Sequence, residues 1–268
     1  MGYIKRKGFG IFMAKFCSIV SGSSGNALFL EHKNTKILID CGISCARICA
    51  ALKSIHVNPA EINGIVVTHE HSDHISGVRV FSNKFGCSVY AGERTLGNMT
   101  CFDAQAVKSG ESFEIGDIGI RPFDIPHDAA EPFGYSFMLG GLSISVATDM
   151  GKINAEVAEA IRGSEVVFLE ANHDREMLLT GPYPYYLKER IIGVEGHLSN
   201  DQSASLAAAL ARTGTTKIIL GHLSDTNNTP ELALKTVADA LSESGLEVGK
   251  DIVLDVAERY SIGNIYEL

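Results

Sequence analysis

No apolar run in the sequence approaches the roughly 18 residues that a membrane-spanning helix needs, so we expect no membrane association. The chain also lacks a surplus of positive charge. Its 23 lysines and arginines stand against 32 aspartates and glutamates, which gives a formal net charge of -9. This balance argues against a protein that holds nucleic acid on a broad basic surface, but it allows one that binds phosphates locally through metal ions.

The six cysteines include no CxxC pair, and all of them lie in the first half of the chain. Cys41, Cys45 and Cys49 repeat at a spacing of four, which would place three small side chains on one face of a helix if the whole segment were helical. This pattern favours burial of the thiols, with a cysteine metal cluster as the alternative. Cysteine usage of this kind fits a cytoplasmic protein.

The N-terminus shows only part of the pattern of a secretory signal. Residues 5–7 are basic and precede an apolar stretch, but Lys15 interrupts that stretch and no clean cleavage site follows. We therefore expect a cytoplasmic location and a flexible extension at residues 1–12. Because no charge block, low-complexity tract or repeat interrupts the remainder, residues 13–268 are predicted to form a single domain.

Strand and helix patterns alternate along the chain. Short runs of β-branched and apolar residues predict strands at Ala14–Val20, Ala27–Glu31, Lys36–Asp40, Gly64–Thr68, Cys87–Ala91, Ile118–Asp124, Phe133–Leu139, Leu142–Thr148, Glu165–Glu170 and Lys217–Gly221. Helical spacing predicts helices at Ser44–Ser54, His74–Phe85, Ala155–Arg162, Asp201–Arg212 and Pro230–Ser244. The central strands are apolar throughout, which is typical of strands covered on both faces. The pattern indicates two packed sheets with helices outside and a long loop at Asn172–Asn200.

The segment after the fourth predicted strand reads HEHSDH at positions 69–74 and leads into a helix. Imidazole and carboxylate groups are the ligands that hard and borderline divalent metals prefer. His69 and His71 point the same way in an extended segment, while Asp73 and His74 follow where the chain turns and can face a second metal. A helix cap by Asp73 is the alternative, but it explains only one of these four residues.

Other predicted strands end in the same types of residue. His127, Asp149, Glu170 and His222 each stand at or just beyond the end of a strand. Because open sheets bind ligands at such strand ends, we expect these side chains to meet at one edge. Any one of them alone is more often structural than catalytic. Together with the segment at 69–74 they supply the seven or eight ligands that a pair of bridged metals needs.

The pattern HxHxDH at positions 69–74, followed by His127, Asp149 and His222, resembles the metallo-β-lactamase superfamily over nearly the whole chain. The resemblance implies an α/β (α+β) fold, a four-layer αββα sandwich with a binuclear site at the sheet edge. It implies a first metal held by His69, His71 and His127, and a second held by Asp73, His74 and His222, with Asp149 bridging. Asp40 matches a position that supports the site from behind, although a plain turn residue is the alternative.

Two features narrow the activity that this resemblance implies. Asp149 stands where true metallo-β-lactamases place a cysteine, which disfavours antibiotic hydrolysis and suits phosphate chemistry. The segments around Glu170 and His197 resemble two elements of ribonuclease Z, in which a glutamate–histidine pair assists phosphodiester cleavage. The implied catalytic residues are Asp73, Glu170 and His197, with His197 oriented by Glu170 and donating a proton to the leaving oxygen. The alternative for His197 is a neighbour of the N-cap of the following helix.

Three further segments, at 21–26, 127–132 and 222–228, resemble the YycJ/WalJ subgroup of the superfamily. That subgroup is associated with 5′-to-3′ exonuclease activity on DNA. The resemblance therefore implies a binuclear metal-dependent phosphodiesterase that uses a hydroxide bridging two metals as its nucleophile. The chain is too short after Glu170 to carry the inserted domain of the ribonuclease J group, which favours the smaller exonuclease subgroup.

Five residues are predicted to bind substrate: Ser23, Ser24, Lys188, Arg190 and Asn227. The glycine-rich segment 21–26 would bind a terminal 5′-phosphate through its serines and the amides of its glycines. The segment 182–190 interleaves tyrosines with cations, so bases would stack on the rings while the cations meet phosphates. The alternatives are a plain hairpin turn for the first segment and tyrosines packed onto the sandwich for the second.

The expected cofactors are two divalent metal ions, since histidine–carboxylate sets accept zinc, manganese or iron. The expected partner is nucleic acid, DNA rather than RNA, and the sequence indicates no oligomeric state. A small-molecule hydrolase, such as a glyoxalase-II-like thioesterase, and a ribonuclease stay open as other enzyme functions. The thioesterase would use the same metals without Glu170 and His197. A structural metal site is disfavoured, because such sites are closed and usually hold one metal.

Overall fold

The computed structural model describes residues 14–268, and the predicted extension at 1–12 lies outside the described residues. The strands of this part are β1 (Ala14–Val20), β2 (Ala27–His32), β3 (Thr35–Ile39), β4 (Gly64–Val66), β5 (Ser88–Gly92), β6 (Asp103–Val107), β7 (Phe113–Ile115), β8 (Ile118–Asp124), β9 (Phe133–Leu139), β10 (Leu142–Ala147), β11 (Val166–Glu170), β12 (Lys217–Gly221), β13 (Val253–Val256) and β14 (Tyr266–Glu267). Its helices are α1 (Cys45–Ser54), α2 (Ser72–Ile75), α3 (Val78–Phe85), α4 (Glu93–Leu96), α5 (Ala155–Ile161), α6 (Arg175–Thr180), α7 (Tyr185–Ile192), α8 (Asn200–Ala211) and α9 (Pro230–Glu243). None of these helices has the length and apolar character needed to cross a membrane.

The described strands form two seven-stranded sheets with similar organisation. The first sheet has the order β14-β1-β2-β3-β4-β5-β6 and the second β13-β12-β11-β10-β9-β8-β7. The strands from β1 to β3 are antiparallel and those from β3 to β6 parallel. In the second sheet, β7 to β10 are antiparallel and β10 to β13 parallel. As a result, β1, β3 and β4 end at one edge of the first sheet, and β8, β10, β11 and β12 end at one edge of the second.

The two sheets bury an apolar core between them. Phe16 of β1 and Phe168 of β11 meet edge-on across this core, with ring centroids 6.1 Å apart. Two outer cores lie between the first sheet and helices α1 and α3, and between the second sheet and helices α5, α8 and α9. Each large apolar side chain buried in this way contributes about 1.5–3 kcal/mol. The four-layer αββα sandwich implied by the sequence is confirmed.

All ten predicted strands are present, and their ends differ from the prediction by at most two residues. The strands β6, β7, β13 and β14 were not predicted. They are short or largely exposed at the outer ends of the sheets, so they lack the apolar runs on which strand prediction depends.

The single helix predicted at His74–Phe85 is wrong, because the chain forms α2 and α3 with a break at Gly77. The amide of Gly77 donates to the carbonyl of Cys41 at 2.8 Å instead of continuing the helical ladder. A Cβ at this glycine would lie 2.1 Å from the carbonyl oxygen of Ile43. The break therefore allows the segment that carries His74 to approach the end of β3 closely.

The long loop predicted at Asn172–Asn200 is also wrong, because it contains α6 and α7. Asp174 caps α6, and its side chain accepts from the amide of Met177 at 2.8 Å. The turn at residues 181–184, with its glycine and two prolines, separates the two helices. The two helices are six and eight residues long, too short for a clear helical period in the sequence.

Gly42 provides a test of how tightly the chain is packed at the edge of the first sheet where β3 and β4 end. A Cβ at Gly42 would lie 1.6 Å from the carbonyl oxygen of Asp73, so the two backbone segments would have to separate. We expect Gly42→Ala to lower the free energy of unfolding by about 3 kcal/mol, at the upper end of the cost of overpacking. The measurement is urea unfolding followed by circular dichroism.

The matched control is Gly97→Ala, in a helical conformation where the nearest atom to the new Cβ is the carbonyl oxygen of Arg94 at 3.4 Å. This change is expected to raise stability slightly, because alanine restricts the unfolded chain. Equal stabilities of the two variants would contradict the close approach at Gly42.

Candidate metal centre

The histidines and carboxylates predicted from the sequence converge where the strands of both sheets end. The ligand atoms within each of two groups lie within 4.8 Å of one another, and the groups are His69, His71 and His127, and Asp73, His74 and His222. Asp149 forms a third such group with His69 and His74, so it lies between the first two. Each group draws residues from the first sheet and from the second. Sequence reasoning therefore identified residues that the fold brings together.

Three residues at this edge have left-handed backbone conformations. Asp40, Asp149 and His222 follow β3, β10 and β12 with φ values of 60°, 60° and 55°. A non-glycine residue in this region costs of order 1–3 kcal/mol and persists only where the surroundings hold it. At each of these three residues, the backbone turns sharply out of the strand and toward the site.

On the side of the first sheet, two histidines are oriented by hydrogen bonds from their Nδ1 atoms. His74 Nδ1 donates to Asp40 Oδ2 at 2.8 Å. Asp40 also accepts from the amide of Thr68 at 2.8 Å and from its hydroxyl at 2.9 Å. Because that hydroxyl has given its proton to Asp40, it accepts from His69 Nδ1 at 3.0 Å. Both imidazoles therefore present Nε2 to the centre.

On the side of the second sheet, Glu170 has the corresponding role. Its Oε1 accepts from His222 Nδ1 at 3.0 Å and from His197 Nδ1 at 2.8 Å. Its Oε2 accepts from the amides of Met150 at 2.8 Å and Leu198 at 3.1 Å. The carboxylate is completely buried and all its bonds are to donors, so it fixes the Nδ1 proton on both imidazoles.

His127 follows the same rule with backbone acceptors. Its Nδ1 donates to the carbonyls of Glu195 and Gly196 at 3.2 and 3.3 Å. Its Nε2 points to the centre, where it lies 3.3 Å from His71 Nδ1. Four imidazoles of the two ligand groups, those of His69, His74, His127 and His222, thus have one nitrogen fixed by an oxygen acceptor and the other directed inward, the usual arrangement around metals.

Several inward-facing atoms have no hydrogen-bond partner within residues 14–268. His69 Nε2, His222 Nε2 and Asp149 Oδ2 are all buried and form no hydrogen bond in this part of the chain, although His222 Nε2 lies 3.6 Å from Asp73 Oδ2 and Asp149 Oδ2 lies 3.4 Å from His74 Nε2. An unpaired buried polar group costs about 1–3 kcal/mol, so such a group calls for a ligand. Imidazole nitrogen and carboxylate oxygen are ligand atoms for divalent cations. The residues present therefore fit a divalent metal site.

The electrostatics of the site also favour positive charge. Burial opposes the charge on His222, but the carboxylates of Asp149, Asp73 and Glu170 outweigh it and raise its pKa to about 10. Burial likewise opposes charge on His74, yet its carboxylate neighbours, Asp149 first among them, raise its pKa well above the ordinary range. A field that holds protons on buried imidazoles at neutral pH is a field that attracts cations.

The pKa of the other buried ligand histidines moves the opposite way. Burial, followed by the charge of His74, lowers the pKa of His69 well below its ordinary range. Burial also lowers the pKa of His127. Both are therefore neutral imidazoles at physiological pH, which is the form that binds metals.

A cleft of about 220 Å³ opens onto these residues. It is lined by Ser23, His71, Asp73, Asp149, Asn172, Tyr183, Leu187, Arg190, Ile191, His197, His222 and Ser224. His197 is one-fifth exposed here, whereas Glu170 behind it is fully buried. Arg190 stands at the rim and pairs through Nε with Asp128 Oδ2 at 2.6 Å. The cleft thus brings two of the predicted catalytic residues, Asp73 and His197, together with two of the predicted substrate-binding residues, Ser23 and Arg190.

The structure places the other predicted substrate-binding residues differently. Ser24 is exposed beside Ser23 on the turn between β1 and β2. Lys188 Nζ donates to the carbonyls of Leu179 and Gly181 at 2.7 and 2.8 Å, which ties it to its own segment. Asn227 is completely buried. None of these three is among the residues that line the cleft.

The structure also bears on the alternative roles of three segments. Residues 21–26 do form the turn of a β-hairpin, and they also reach the cleft through Ser23. Ser199 caps α8 with a full capping box, so His197 stands beside a cap and also contacts Glu170. Tyr185 and Tyr186 are 76% and 74% exposed, so they do not pack onto the sandwich.

Three supporting residues escaped sequence reasoning. Thr68 links Asp40 to His69, as described above. The side chain of Asn26 lies 3.1 Å from His74 Nε2, and Asn172 Nδ2 donates to the carbonyl of His222 at 3.0 Å. Asn172 directly follows the pair Glu170–Ala171, so its place after a buried strand was the one available signal.

Comparisons with known proteins agree with this geometry. Residues 35–223 match the family described as the beta-lactamase superfamily domain. The chain is 38% identical over 246 residues to the protein named exodeoxyribonuclease WalJ of Streptococcus pneumoniae serotype 2 (strain D39), covering 88% of this chain and 91% of that protein. It is 37% identical over 242 residues to exodeoxyribonuclease YycJ of Bacillus anthracis, covering 88% and 92%.

A solved structure shows the same fold. The metallo-beta-lactamase fold protein YhfI from Bacillus subtilis superposes with a TM-score of 0.74 at 12% identity, covering 95% of this chain and 99% of that one. At this identity the likeness concerns the fold alone. The matched family domain and the two relatives carry the assignment further: the chain belongs to the metallo-β-lactamase superfamily, in the family that includes the WalJ and YycJ proteins.

Proposed function

We propose that this metal-dependent hydrolase is a binuclear phosphodiesterase that degrades DNA from its 5′ end. The observation that carries the proposal is the pair of ligand groups joined by Asp149, with the Glu170–His197 pair directly beside them. The two relatives named exodeoxyribonucleases support DNA as the substrate. Because the protein has a net charge of -9, it needs local positive charge to bind phosphates, and cations at this edge would supply it.

The proposed ligand assignment follows the two groups. His69, His71 and His127 would hold one divalent cation, Asp73, His74 and His222 would hold the other, and Asp149 would contact both. When bound, such cations lower the pKa of water and neutralise charge on phosphate oxygens. Zinc, manganese and iron all suit these ligands.

His197 is the proposed general acid. Its Nδ1 proton is committed to Glu170, so Nε2 is the atom available to the cleft. In-line attack by water-derived hydroxide on phosphorus breaks the bond to the 3′ oxygen of the departing nucleotide. That oxygen takes a proton from Nε2 of protonated His197, and Glu170 stabilises the imidazolium through its hydrogen bond. Asp73 would contribute to catalysis by helping to hold the second cation.

The cleft and the helix beside it also offer contacts for a DNA strand. Arg190 lies at the rim of the cleft, and its guanidinium is more than half exposed despite its pairing with Asp128. The exposed rings of Tyr185 and Tyr186 lie on the same helix and provide faces on which bases stack. In this proposal, the DNA strand runs along α7, with its terminal phosphate toward Ser23.

We further propose a single domain and a cytoplasmic location. The two sheets share one buried core and one set of active-site residues, which supports a single domain at 13–268. All six cysteines are free thiols, including Cys45 and Cys49, whose sulfur atoms are only 3.9 Å apart. Free thiols at this distance suit a reducing compartment.

Substrate assays test the proposed activity. Protein reloaded with Zn²⁺ or Mn²⁺ is expected to release mononucleotides from 5′-phosphorylated DNA. It is expected to act more slowly on the matching RNA and to leave a glutathione thioester intact. A thioesterase would show the reverse order, and a ribonuclease would prefer the RNA strand. Chelator-treated protein serves as the blank, because removing the metals should abolish every activity.

Metal analysis tests the binuclear assignment. The two ligand groups predict two metal ions per chain in protein saturated with Zn²⁺ or Mn²⁺, as measured by elemental analysis. Asp73→Ala removes a ligand assigned to one group only, so we expect one metal to be retained and the other lost. Asp239→Ala, on the surface of α9, is the control and should keep both. One metal or fewer in the unaltered protein would contradict a binuclear centre.

Two substrates test the role of His197. We expect His197→Ala to reduce turnover on DNA by about 10²–10⁴-fold, the range typical of a general acid, with metal content unchanged. The loss should be smaller on a p-nitrophenyl phosphodiester, whose leaving group needs little protonation. A similar loss on both substrates would contradict proton donation, and metal depletion would make His197 a ligand.

Glu170→Gln is the companion variant. An amide has one acceptor oxygen where the carboxylate has two, so His197 and His222 can no longer both be held while two backbone amides donate. We therefore expect a drop of about 10–100-fold in metal affinity in addition to slower turnover. Unchanged metal affinity would show that His222 does not depend on Glu170.

A further inference from the structure

The turn between β1 and β2 has two exposed residues whose backbone amides donate no hydrogen bond within the described residues. Ser23 and Ser24 occupy its corner, which is closed by a bond of 3.0 Å from the amide of Gly25 to the carbonyl of Gly22. The amide of Gly22 donates to Asn26 Oδ1 at 2.9 Å. The glycine amides, predicted to bind phosphate, are thus committed within the turn. The amides of the two serines donate to no atom of residues 14–268, and each serine also carries a hydroxyl group.

This turn is fixed to the metal centre by hydrogen bonds at both of its ends. The amide of Asn26 donates to the carbonyl of Asp73 at 2.7 Å. Ser21 Oγ accepts from the amide of His222 at 2.8 Å. Since Ser23 lines the same cleft as Asp73 and His222, an anion held by the turn would lie at one end of the cleft.

Arg259 brings a positive charge to the buried side of the turn. Its Nη1 is buried and has no hydrogen-bond partner within the described residues. That nitrogen lies 2.9 Å from the point where a Cβ on Gly22 would stand. The ion pair from its Nε to Asp225 Oδ1, at 3.3 Å, is formed with a carboxylate that is two-thirds exposed. Because water solvates this carboxylate, the ion pair is weakened and compensates only part of the charge of Arg259.

We propose that Arg259 and the Ser23–Ser24 turn form the site that binds the terminal phosphate of the DNA strand. The inference rests on the proposed nuclease function and adds the residue that gives the site its charge. The two amides and two hydroxyls contact the phosphate, because successive free N–H groups at a turn make an anion-binding concavity. Arg259 supplies the opposing charge from the other side of the turn, where its Nη1 is buried. It is a specificity-determining residue and takes no part in bond cleavage.

A purely structural role for Arg259 predicts a different effect when the side chain is removed. If the guanidinium only supports Gly22, its loss would loosen the turn that anchors Asp73 and His222. All substrates would then be affected alike, together with stability. If it attracts the phosphate, the loss depends on whether the substrate carries one.

The experiment compares Arg259→Gln and Arg259→Lys with the unaltered protein. The control is Arg212→Gln, which removes the same charge from the exposed end of α8, where Arg212 contacts Ser244. Initial rates are measured on one DNA oligonucleotide with a 5′-phosphate and with a 5′-hydroxyl, and on bis(p-nitrophenyl) phosphate. Thermal unfolding and metal content are recorded for each variant.

We expect the unaltered protein to prefer the phosphorylated end by about tenfold or more, the value of one charge-assisted hydrogen bond. Arg259→Gln should lose most of that preference through a higher KM, and its loss on phosphorylated DNA should exceed its loss on the p-nitrophenyl diester about tenfold. Arg259→Lys should keep part of the preference, and Arg212→Gln should keep all of it.

Three outcomes would overturn the inference. Equal rates on both ends by the unaltered protein would remove the terminal site while leaving a DNA phosphodiesterase in place. An equal loss by Arg259→Gln on all three substrates, with a lower unfolding temperature, would make Arg259 structural. Full preference in Arg259→Gln would place the site elsewhere. Hydrolysis of the p-nitrophenyl diester without cleavage of either DNA would instead overturn the proposed nuclease function.

Discussion

The candidate metal centre depends on the hydrogen bonds that the buried carboxylate of Glu170 accepts. Burial opposes its ionisation, but His197 and His222 lower its pKa below the ordinary range and keep it charged. Its two oxygens accept four hydrogen bonds, two from these imidazoles and two from backbone amides. One carboxylate therefore sets the orientation of a proposed metal ligand and of the proposed general acid. Its own position is fixed by the end of β11, an interior strand of the second sheet.

Asp40 performs the matching task on the first sheet. It accepts from His74 and from both donors of Thr68, which in turn holds His69. The centre is thus built from two halves, each with a buried carboxylate that fixes Nδ1 protons and leaves Nε2 atoms facing inward. Rigid strands hold both carboxylates, so the inward-facing atoms are arranged before any ligand arrives.

The sequence was most informative at positions where a residue of a metal-binding type directly follows a predicted strand. His69, Asp149 and His222 stand directly beyond apolar runs, so their convergence could be inferred from the geometry of open sheets. The broken helix at Gly77 and the helices α6 and α7 could not be inferred in this way. Contacts between segments distant in the chain decide the first, and the other two are too short to show a period. Arg259 gave no signal, because its position depends on a turn that lies more than 200 residues earlier in the chain.

Each proposed metal takes ligands from both sheets, and this has a mechanical consequence. His69 and His71 follow β4 while His127 follows β8, and the second group spans the sheets in the same way through His222. A cation bound to either group is a cross-link between distant parts of the chain, comparable to a disulfide between the layers. Because a ligand that binds only the folded state stabilises it in proportion to the logarithm of its concentration, cellular metal supply would govern the lifetime of the folded protein against proteases as well as its activity.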